Sequence, residues 1–166
     1  SPVTTGPIAF EPADYFMTEA PAPERMNFEE LRHYIEELKA SGYTMHTALE
    51  GRSARTRALA TEAGLNDCGT MHNVVATCDV VLSILNPAAA VDNARAAAAA
   101  IKATGRRCLF VDCNAVAPQT AQEINAIISA AGGTCIDAGI IGPPPRGKAS
   151  MRMYVSGPQA ALLEPL

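Results

Sequence analysis

Residues 79–114 constrain the fold of this chain more than any other part of its sequence. They read DVVLSILNP, then AAAVDNARAAAAAIKATGRR, then CLFVDCN, so two apolar runs flank an alanine-dense segment. Apolar runs of this kind are typical of parallel strands that are covered on both faces. The segment between them, residues 89–103, contains neither glycine nor proline and is predicted to be a helix. Together they predict one βαβ unit with a right-handed crossover.

Polar residues follow both apolar runs. Residues 85–87 come after the first run and residues 112–114 after the second. In sheets built from such units, ligands bind beyond the carboxyl ends of the strands. These two short segments are therefore predicted to lie at the edge of the sheet where a ligand would bind.

Further elements alternate along the rest of the chain. The prediction comprises a helix that Asn27 caps and Gly42 ends, with Phe28, Leu31, Ile35 and Leu38 on one face; strands at 43–49, 134–141 and 150–156; helices at 54–63, 70–78 and 118–130; and a last helix that Pro158 opens. This alternation predicts an α/β fold, a doubly wound, mostly parallel Rossmann-type sheet with helices on both faces. We expect the strands of Val81, Phe110 and Ile136 to be parallel neighbours in it.

Residues 1–26 differ from the remainder by their proline content. Five of the chain's twelve prolines lie here, and only residues 7–10 resemble a strand. Proline removes a backbone donor and favours extended or loop structure. The chain is accordingly divided into an atypical proline-rich N-terminal segment, 1–26, and a Rossmann-type nucleotide-binding domain, 27–166.

Composition indicates one soluble globular domain. Of the 166 residues, 48% are hydrophobic and 18% charged, and the net charge of −4 comes without a long basic run. We therefore expect neither a nucleic-acid partner nor a membrane partner. We expect a cytoplasmic location. Five cysteines without CxxC spacing and three scattered histidines favour buried thiols over disulfides or a metal site.

Four short motifs, met in order along the chain, resemble one family. They are Glu50-Gly51-Arg52-Ser53; Leu85-Asn86-Pro87 followed by Val91; Val111-Asp112-Cys113-Asn114 followed by Pro118; and Asp137-Ala138-Gly139-Ile140-Ile141-Gly142. Through them, residues 42–166 resemble the nucleotide-binding domain of the β-hydroxyacid dehydrogenases, which include 6-phosphogluconate and 3-hydroxyisobutyrate dehydrogenases. The prolines at 143–145 resemble the branch of that family with a proline-rich loop after the last parallel strand.

The resemblance implies an NAD(P) site and a substrate site. The cofactor-binding residues it implies are Arg52, Ser53, Leu85, Asn86, Pro87 and Asn114. The substrate-binding residues it implies are Asn114, Ile141, Gly142 and Pro143. It further implies hydride transfer between NADP, or NAD, and a small hydroxyacid in the complete protein, which would be a homo-oligomer such as a dimer.

Two departures from the family pattern lower the expected activity. The first strand is not followed by GxGxxG, whose glycines present backbone N–H groups to a pyrophosphate at a helix N-terminus. Instead Pro12 removes a donor, and Glu11 and Asp14 add negative charge. We therefore expect weak NADP binding. The family's catalytic lysine belongs to a helical domain that follows the nucleotide-binding domain, so this chain alone is expected to be inactive, with no catalytic residue assigned.

Each implied site residue also has a structural interpretation. Arg52 with Arg55 either grips an adenosine 2′-phosphate or is a solvated charge at a helix start. Glu50 either binds a ribose hydroxyl or is simply exposed, and asparagine is also a common turn residue. Asp112 and Asp137 are expected to end strands and to cap neighbouring loops rather than to act as acids or bases. Cys113 is expected to be a buried thiol rather than a nucleophile.

An alternative function belongs to a different class. A Rossmann-like domain that has lost its glycine-rich loop would serve as a non-catalytic interaction or regulatory module. In that case the proline-rich N-terminus, or the loop at residues 142–147, would bind a protein partner or a neighbouring subunit.

Overall fold

The computed structural model describes residues 8–12, 28–141 and 152–163. The strands within these ranges are β1 Ile8–Pro12, β2 Met45–Thr47, β3 Asn66–Asp67, β4 Val80–Ile84, β5 Leu109–Asp112, β6 Thr134–Ile141 and β7 Arg152–Ser156. The helices are α1 Phe28–Ala40, α2 Ala54–Glu62, α3 Met71–Thr77, α4 Ala90–Thr104 and α5 Pro118–Ala130. Short 3₁₀ helices at Pro87–Ala89 and Ala160–Leu163 follow β4 and β7.

The described strands form one twisted sheet in the order β3-β2-β1-β4-β5-β6-β7. Every neighbouring pair is parallel except β6 and β7, which are antiparallel. Val81 lies opposite Phe110, and Val111 lies opposite Ile136. The predicted parallel order of these three strands is confirmed. β1 lies inside the sheet, between β2 and β4.

Hydrophobic clusters lie on both faces of the sheet. On one face α3, α4 and α5 cover Val81 and Phe110. On the other face Ile35 and Leu38 of α1 pack with the cluster that contains Leu82, Val111 and Ile136. Every residue of β4 is buried, as expected of a strand covered on both sides. The predicted doubly wound α/β fold is therefore confirmed.

The alanines of α4 let this helix pack closely against its surroundings. Ala94 and Ala97 have no exposed surface, and Ile101 is 2% exposed. Gly105 ends the helix in the left-handed conformation, with φ of 68°. Alanine adds almost no side-chain entropy cost and little bulk, so the helix is both intrinsically stable and narrow.

Gly133, just before β6, marks another close approach. A Cβ at this position would lie 2.8 Å from Ile101 Cδ1 and 2.9 Å from Ile128 Cγ2. Those distances are shorter than carbon–carbon contacts allow. The absence of a side chain here is what allows α4, α5 and the start of β6 to meet.

Some predicted elements differ from the structure. β3 was not predicted, because it has only two residues and both are exposed and polar. The strand predicted at 43–49 is confined to β2, and the predicted helix after Pro158 is a short 3₁₀ helix within the described residues. Asp137 does not end a strand but lies in the middle of β6. The predicted Asn27 cap and the loop at 142–147 lie outside the described residues.

No helix among the described residues is long and apolar enough to cross a membrane.

Candidate nucleotide-binding site

Asn114 ties together the carboxyl ends of β4 and β5. Its Oδ1 accepts a hydrogen bond of 2.7 Å from the backbone N–H of Leu85. Its Nδ2 donates to Ser83 Oγ at 3.2 Å and to Asp112 Oδ1. The side chain is 7% exposed, so these bonds are made away from water. The two segments predicted to lie together at the sheet edge do so, and Asn114 joins them.

The same network reaches the first turn of α4. Asn93 Nδ2 donates to Ser83 Oγ at 3.1 Å, and Ser83 has no exposed surface. Asn86 Oδ1 accepts from the Ala88 N–H at 3.1 Å and begins the 3₁₀ helix that leads into α4. Pro87 occupies the first position of that helix, where its missing N–H leaves nothing unsatisfied. The β4–α4 connection is thus held by side-chain amides at three points.

Asp112, the last residue of β5, carries a buried carboxylate. Its Oδ1 accepts from the backbone N–H of Asn114 at 3.3 Å, which is the predicted loop-capping role. Its Oδ2 has no hydrogen-bond partner, and the residue is 2% exposed. Burial, opposed by the Asn114 hydrogen bonds and reinforced by the negative charge of Asp137, raises the pKa of Asp112 to about 6.

Cys113 lies between these two polar residues and is half-buried. Burial, followed by the charges of Asp112 and Asp137, raises the pKa of its thiol far above the usual range. A protonated thiol is a poor nucleophile. The structural interpretation of Cys113 is therefore the one that its surroundings favour.

A second polar corner follows β2 at the same edge of the sheet. A cleft of about 240 Å³ opens here, lined by residues that follow β2 and β3 and by the first turns of α3 and α4: Ala48, Glu50, Gly51, Arg52, Gly69, Thr70, Met71, Asn93 and Ala96. Gly51 has φ of 73°, a conformation that residues with a Cβ rarely adopt, and it turns the chain from β2 toward α2. Arg52 is half-buried at this cleft, and Glu50 is exposed.

Ser53 begins α2 at this corner. Its Oγ accepts from the Thr56 N–H at 3.2 Å, which confirms the predicted N-cap. The first turn of α2 carries no acidic residue. No side chain of that turn therefore places a negative charge beside its backbone N–H groups or the positive end of the helix dipole. Arg57 Nε donates to the Arg52 carbonyl at 3.3 Å and thereby braces the turn.

The structure adds residues that sequence reasoning missed. Thr70 caps α3 by accepting from the Asn73 N–H at 3.2 Å, and it lines the cleft together with Met71 and Asn93. Asn93 stands alone as an amide among the alanines of α4. That isolation, in the first turn of the helix that follows β4, is the signal that could have identified it.

The implied substrate residues are only partly described. Ile141 ends β6 and Asn114 lies in the network above, whereas Gly142 and Pro143 lie outside the described residues. Whether they contact a substrate stays a prediction. Within residues 8–12, 28–141 and 152–163 there is no cluster of three or more histidine, cysteine or acidic residues placed to hold a metal ion.

The fold and its polar edge define a class of protein. A central parallel β1–β4 pair, helices on both faces and side-chain amides at the carboxyl edge are the features of a Rossmann-type nucleotide-binding domain. A family model described as the NAD binding domain of 6-phosphogluconate dehydrogenase matches residues 32–164. The chain belongs to this family.

Several solved structures share this fold. Conserved protein MTH1747, described as of unknown function and structurally similar to 3-hydroxyacid dehydrogenases, matches with 27% identity and a TM-score of 0.69, over 93% of this chain and 51% of that one. The 3-hydroxyisobutyrate dehydrogenase of Mycobacterium tuberculosis, determined with L-serine, matches with 20% identity and a TM-score of 0.66, over 96% and 51%. An imine reductase from Myxococcus stipitatus, in complex with NAD+, matches with 17% identity and a TM-score of 0.64, over 94% and 48%.

The chain spans about half the length of these structures. A search of curated protein sequences finds no match. The family model and the fold therefore establish an NAD(P)-binding domain of the 3-hydroxyacid dehydrogenase type.

Proposed function

We propose that the chain is the cofactor-binding part of a hydroxyacid oxidoreductase, and that it prefers NADP to NAD. The observation that carries the preference is the cleft after β2, which Arg52 lines, together with the N-terminus of α2, which follows Arg52 in the chain and has no acidic residue in its first turn. Arginine binds phosphate through a planar fork of donors, and a helix N-terminus also favours an anion. An adenosine 2′-phosphate, present in NADP and absent from NAD, fits both features.

The remaining cleft residues suit the adenosine beside that phosphate. Glu50 and Thr70 supply polar groups for ribose hydroxyls, while Met71 and Ala96 supply an apolar wall for the base. Asn86 and Pro87 continue the site along the sheet edge toward β4. Asn114 holds that edge in place through its bonds to Leu85 and Ser83, so its part in cofactor binding is to shape the edge.

The proposed affinity is low. No GxGxxG motif follows β1 in the sequence, so the chain lacks there the glycines whose turn presents N–H groups to a pyrophosphate in this family. An arginine contact contributes roughly 1.5–3 kcal/mol, less than several backbone bonds at a helix N-terminus together. We expect an NADP dissociation constant on the order of 0.1–1 mM or weaker.

Hydride transfer to or from a small hydroxyacid would require groups beyond those described here. No residue of the described ranges is assigned as the general acid or base, and the 166-residue chain alone is expected to give no useful turnover. In the complete oxidoreductase, the catalytic group would come from a part that corresponds to the half of the solved structures that this chain does not cover. The alternative, a non-catalytic module, is favoured if neither nucleotide binds.

Calorimetric titration with NADP and NAD tests the proposal. Arg52→Ala should weaken NADP binding by about tenfold or more and leave NAD binding unchanged, because only NADP carries the 2′-phosphate. Arg107→Ala is the matched control, since Arg107 is exposed and precedes β5 at the opposite edge of the sheet. Equal binding of the two nucleotides by the unmodified chain would contradict the NADP preference.

A further inference from the structure

A second and larger cleft lies away from the nucleotide corner. It has a volume of about 570 Å³ and runs between α5 and the β6–β7 pair. Its lining includes Gln122 and Asn125 from α5, Ser156 from β7, and the 157–159 turn that follows. Asp112, Pro118 and Asp137 of the sequence motifs line it, but none of the residues implied to bind NAD(P) does.

The charges of this cleft are of one sign. Asp112 and Asp137 line it, and no lysine, arginine or histidine is among the described residues of the lining. The two aspartates lie opposite each other on neighbouring parallel strands. Residues paired in this way point to the same face of the sheet at roughly 5 Å separation, so two carboxylates face the cleft side by side.

Asp112 is incompletely satisfied. Its Oδ2 is buried and has no hydrogen-bond partner, whereas Asp137 Oδ2 accepts from Ser156 Oγ at 3.4 Å. A buried carboxylate oxygen without a donor is unfavourable, and the usual remedy in proteins is a paired cation or an additional donor. Among the described residues, no lysine or arginine of this chain lines the cleft to provide one.

We propose that this cleft binds a guanidinium group, held between Asp112 and Asp137. A guanidinium carries five N–H donors in a flat fork that matches carboxylate oxygens, whereas an ammonium is a point charge. Donors not used by the aspartates can reach the amide oxygens of Gln122 and Asn125 on α5. The chemical source is either a small alkylguanidine or an arginine side chain, and the site is independent of NADP binding.

Two pairs of probes that differ mainly in charge test the site. Butylguanidinium and butylurea have nearly the same shape, as do N-acetylarginine methylamide and N-acetylcitrulline methylamide. In calorimetric or NMR titration of the chain, each charged probe should bind at least about tenfold more tightly than its neutral partner, because charge-assisted hydrogen bonds are the stronger ones. Tighter binding of the arginine derivative than of butylguanidinium would identify an arginine side chain as the source, and the reverse order a free small molecule.

Asp137→Asn is the decisive variant, because Asp137 is exposed and, among the described residues, its carboxylate accepts a side-chain hydrogen bond from Ser156 alone. It should weaken butylguanidinium binding by about tenfold and leave NADP binding unchanged. Asp92→Asn, at an exposed position of α4, is the matched control and should change neither. Asp112→Asn should act like Asp137→Asn if circular dichroism shows that it folds. Equal binding of charged and neutral probes, or full affinity in Asp137→Asn, would overturn the proposal.

Discussion

The two polar corners at the carboxyl edge of the sheet differ in how deeply their polar side chains are buried and in what those side chains bind. After β4 and β5, Asn114 is buried, and the oxygen and the nitrogen of its side-chain amide both form hydrogen bonds within the protein. After β2, Arg52 lines an open cleft, and Ser53 caps the helix N-terminus beside it. A polar residue at a strand end is therefore not by itself a binding residue. Its burial and its partners decide whether it holds the fold or remains accessible to a ligand.

The largest effect that follows from this contrast is on stability. Asn114→Ala removes a buried acceptor from the Leu85 N–H and a donor from Ser83 and Asp112. Leaving such groups unsatisfied should lower the free energy of unfolding by about 3 kcal/mol. Urea denaturation followed by circular dichroism measures it. Asn86→Ala, which removes only a capping bond to Ala88, should cost about 1 kcal/mol. Equal losses of unfolding free energy in the two variants would show that the burial of Asn114 does not make it more important for stability than Asn86.

A smaller effect on stability depends on pH, because it comes from the ionisation of Asp112. Because burial raises its pKa from 3.8 to about 6, the unfolded chain loses this proton first as the pH rises. The contribution of Asp112 to stability is therefore nil below both values, becomes increasingly unfavourable between about pH 4 and 6, and is constant above, at an upper limit of about 3 kcal/mol.

Asp112→Asn should remove this pH dependence. The difference in unfolding free energy between the variant and the unmodified chain should shift in the variant's favour by about 2 kcal/mol from pH 4 to pH 7.5, since the amide cannot ionise. Denaturant titrations at a series of pH values measure the shift. Asp92→Asn, at an exposed position, provides the comparison. Parallel pH curves for the unmodified chain and Asp112→Asn would show that the buried carboxylate does not titrate in this range.

The smallest effect belongs to the open corner. Ser53→Ala removes the bond that Ser53 Oγ accepts from the Thr56 N–H and should lower the free energy of unfolding by about 1 kcal/mol. Ser129→Ala is a suitable control, because that hydroxyl bonds only within the exposed surface of α5. A loss with Ser53→Ala as large as that with Asn114→Ala would remove the contrast between the two corners. Thermal denaturation of the three variants side by side is sufficient.

Much of the fold could be predicted because its signals are local. The apolar runs of β4 and β5, the alanines of α4 and the Ser53 cap each specify their own element, and the parallel order follows from the βαβ connection. β3 escaped prediction because a pair of exposed polar residues has no periodicity. Its pairing with β2 is determined by tertiary contacts alone.

The site was less predictable than the fold. Sequence motifs placed Leu85 and Asn114 at the correct edge, but hydrogen-bond partners depend on side-chain positions that spacing does not contain. Asn93 was missed because its partner Ser83 is ten residues away, in a strand whose contact with α4 the spacing does not specify. Asp137 was expected to end a strand although the strand predicted at residues 134–141 already contained it, and the structure places it within β6, opposite Ser156 of β7.

Gly133 has a consequence for how the domain opens. Because hydrogen in place of a Cβ lets Ile101 of α4 and Ile128 of α5 close over the start of β6, none of the three elements can move away without exposing the other two. Local unfolding in proteins proceeds through contiguous cooperative units. We therefore expect the amide protons of α4, α5 and β6 to belong to one such unit and to exchange with solvent together rather than helix by helix.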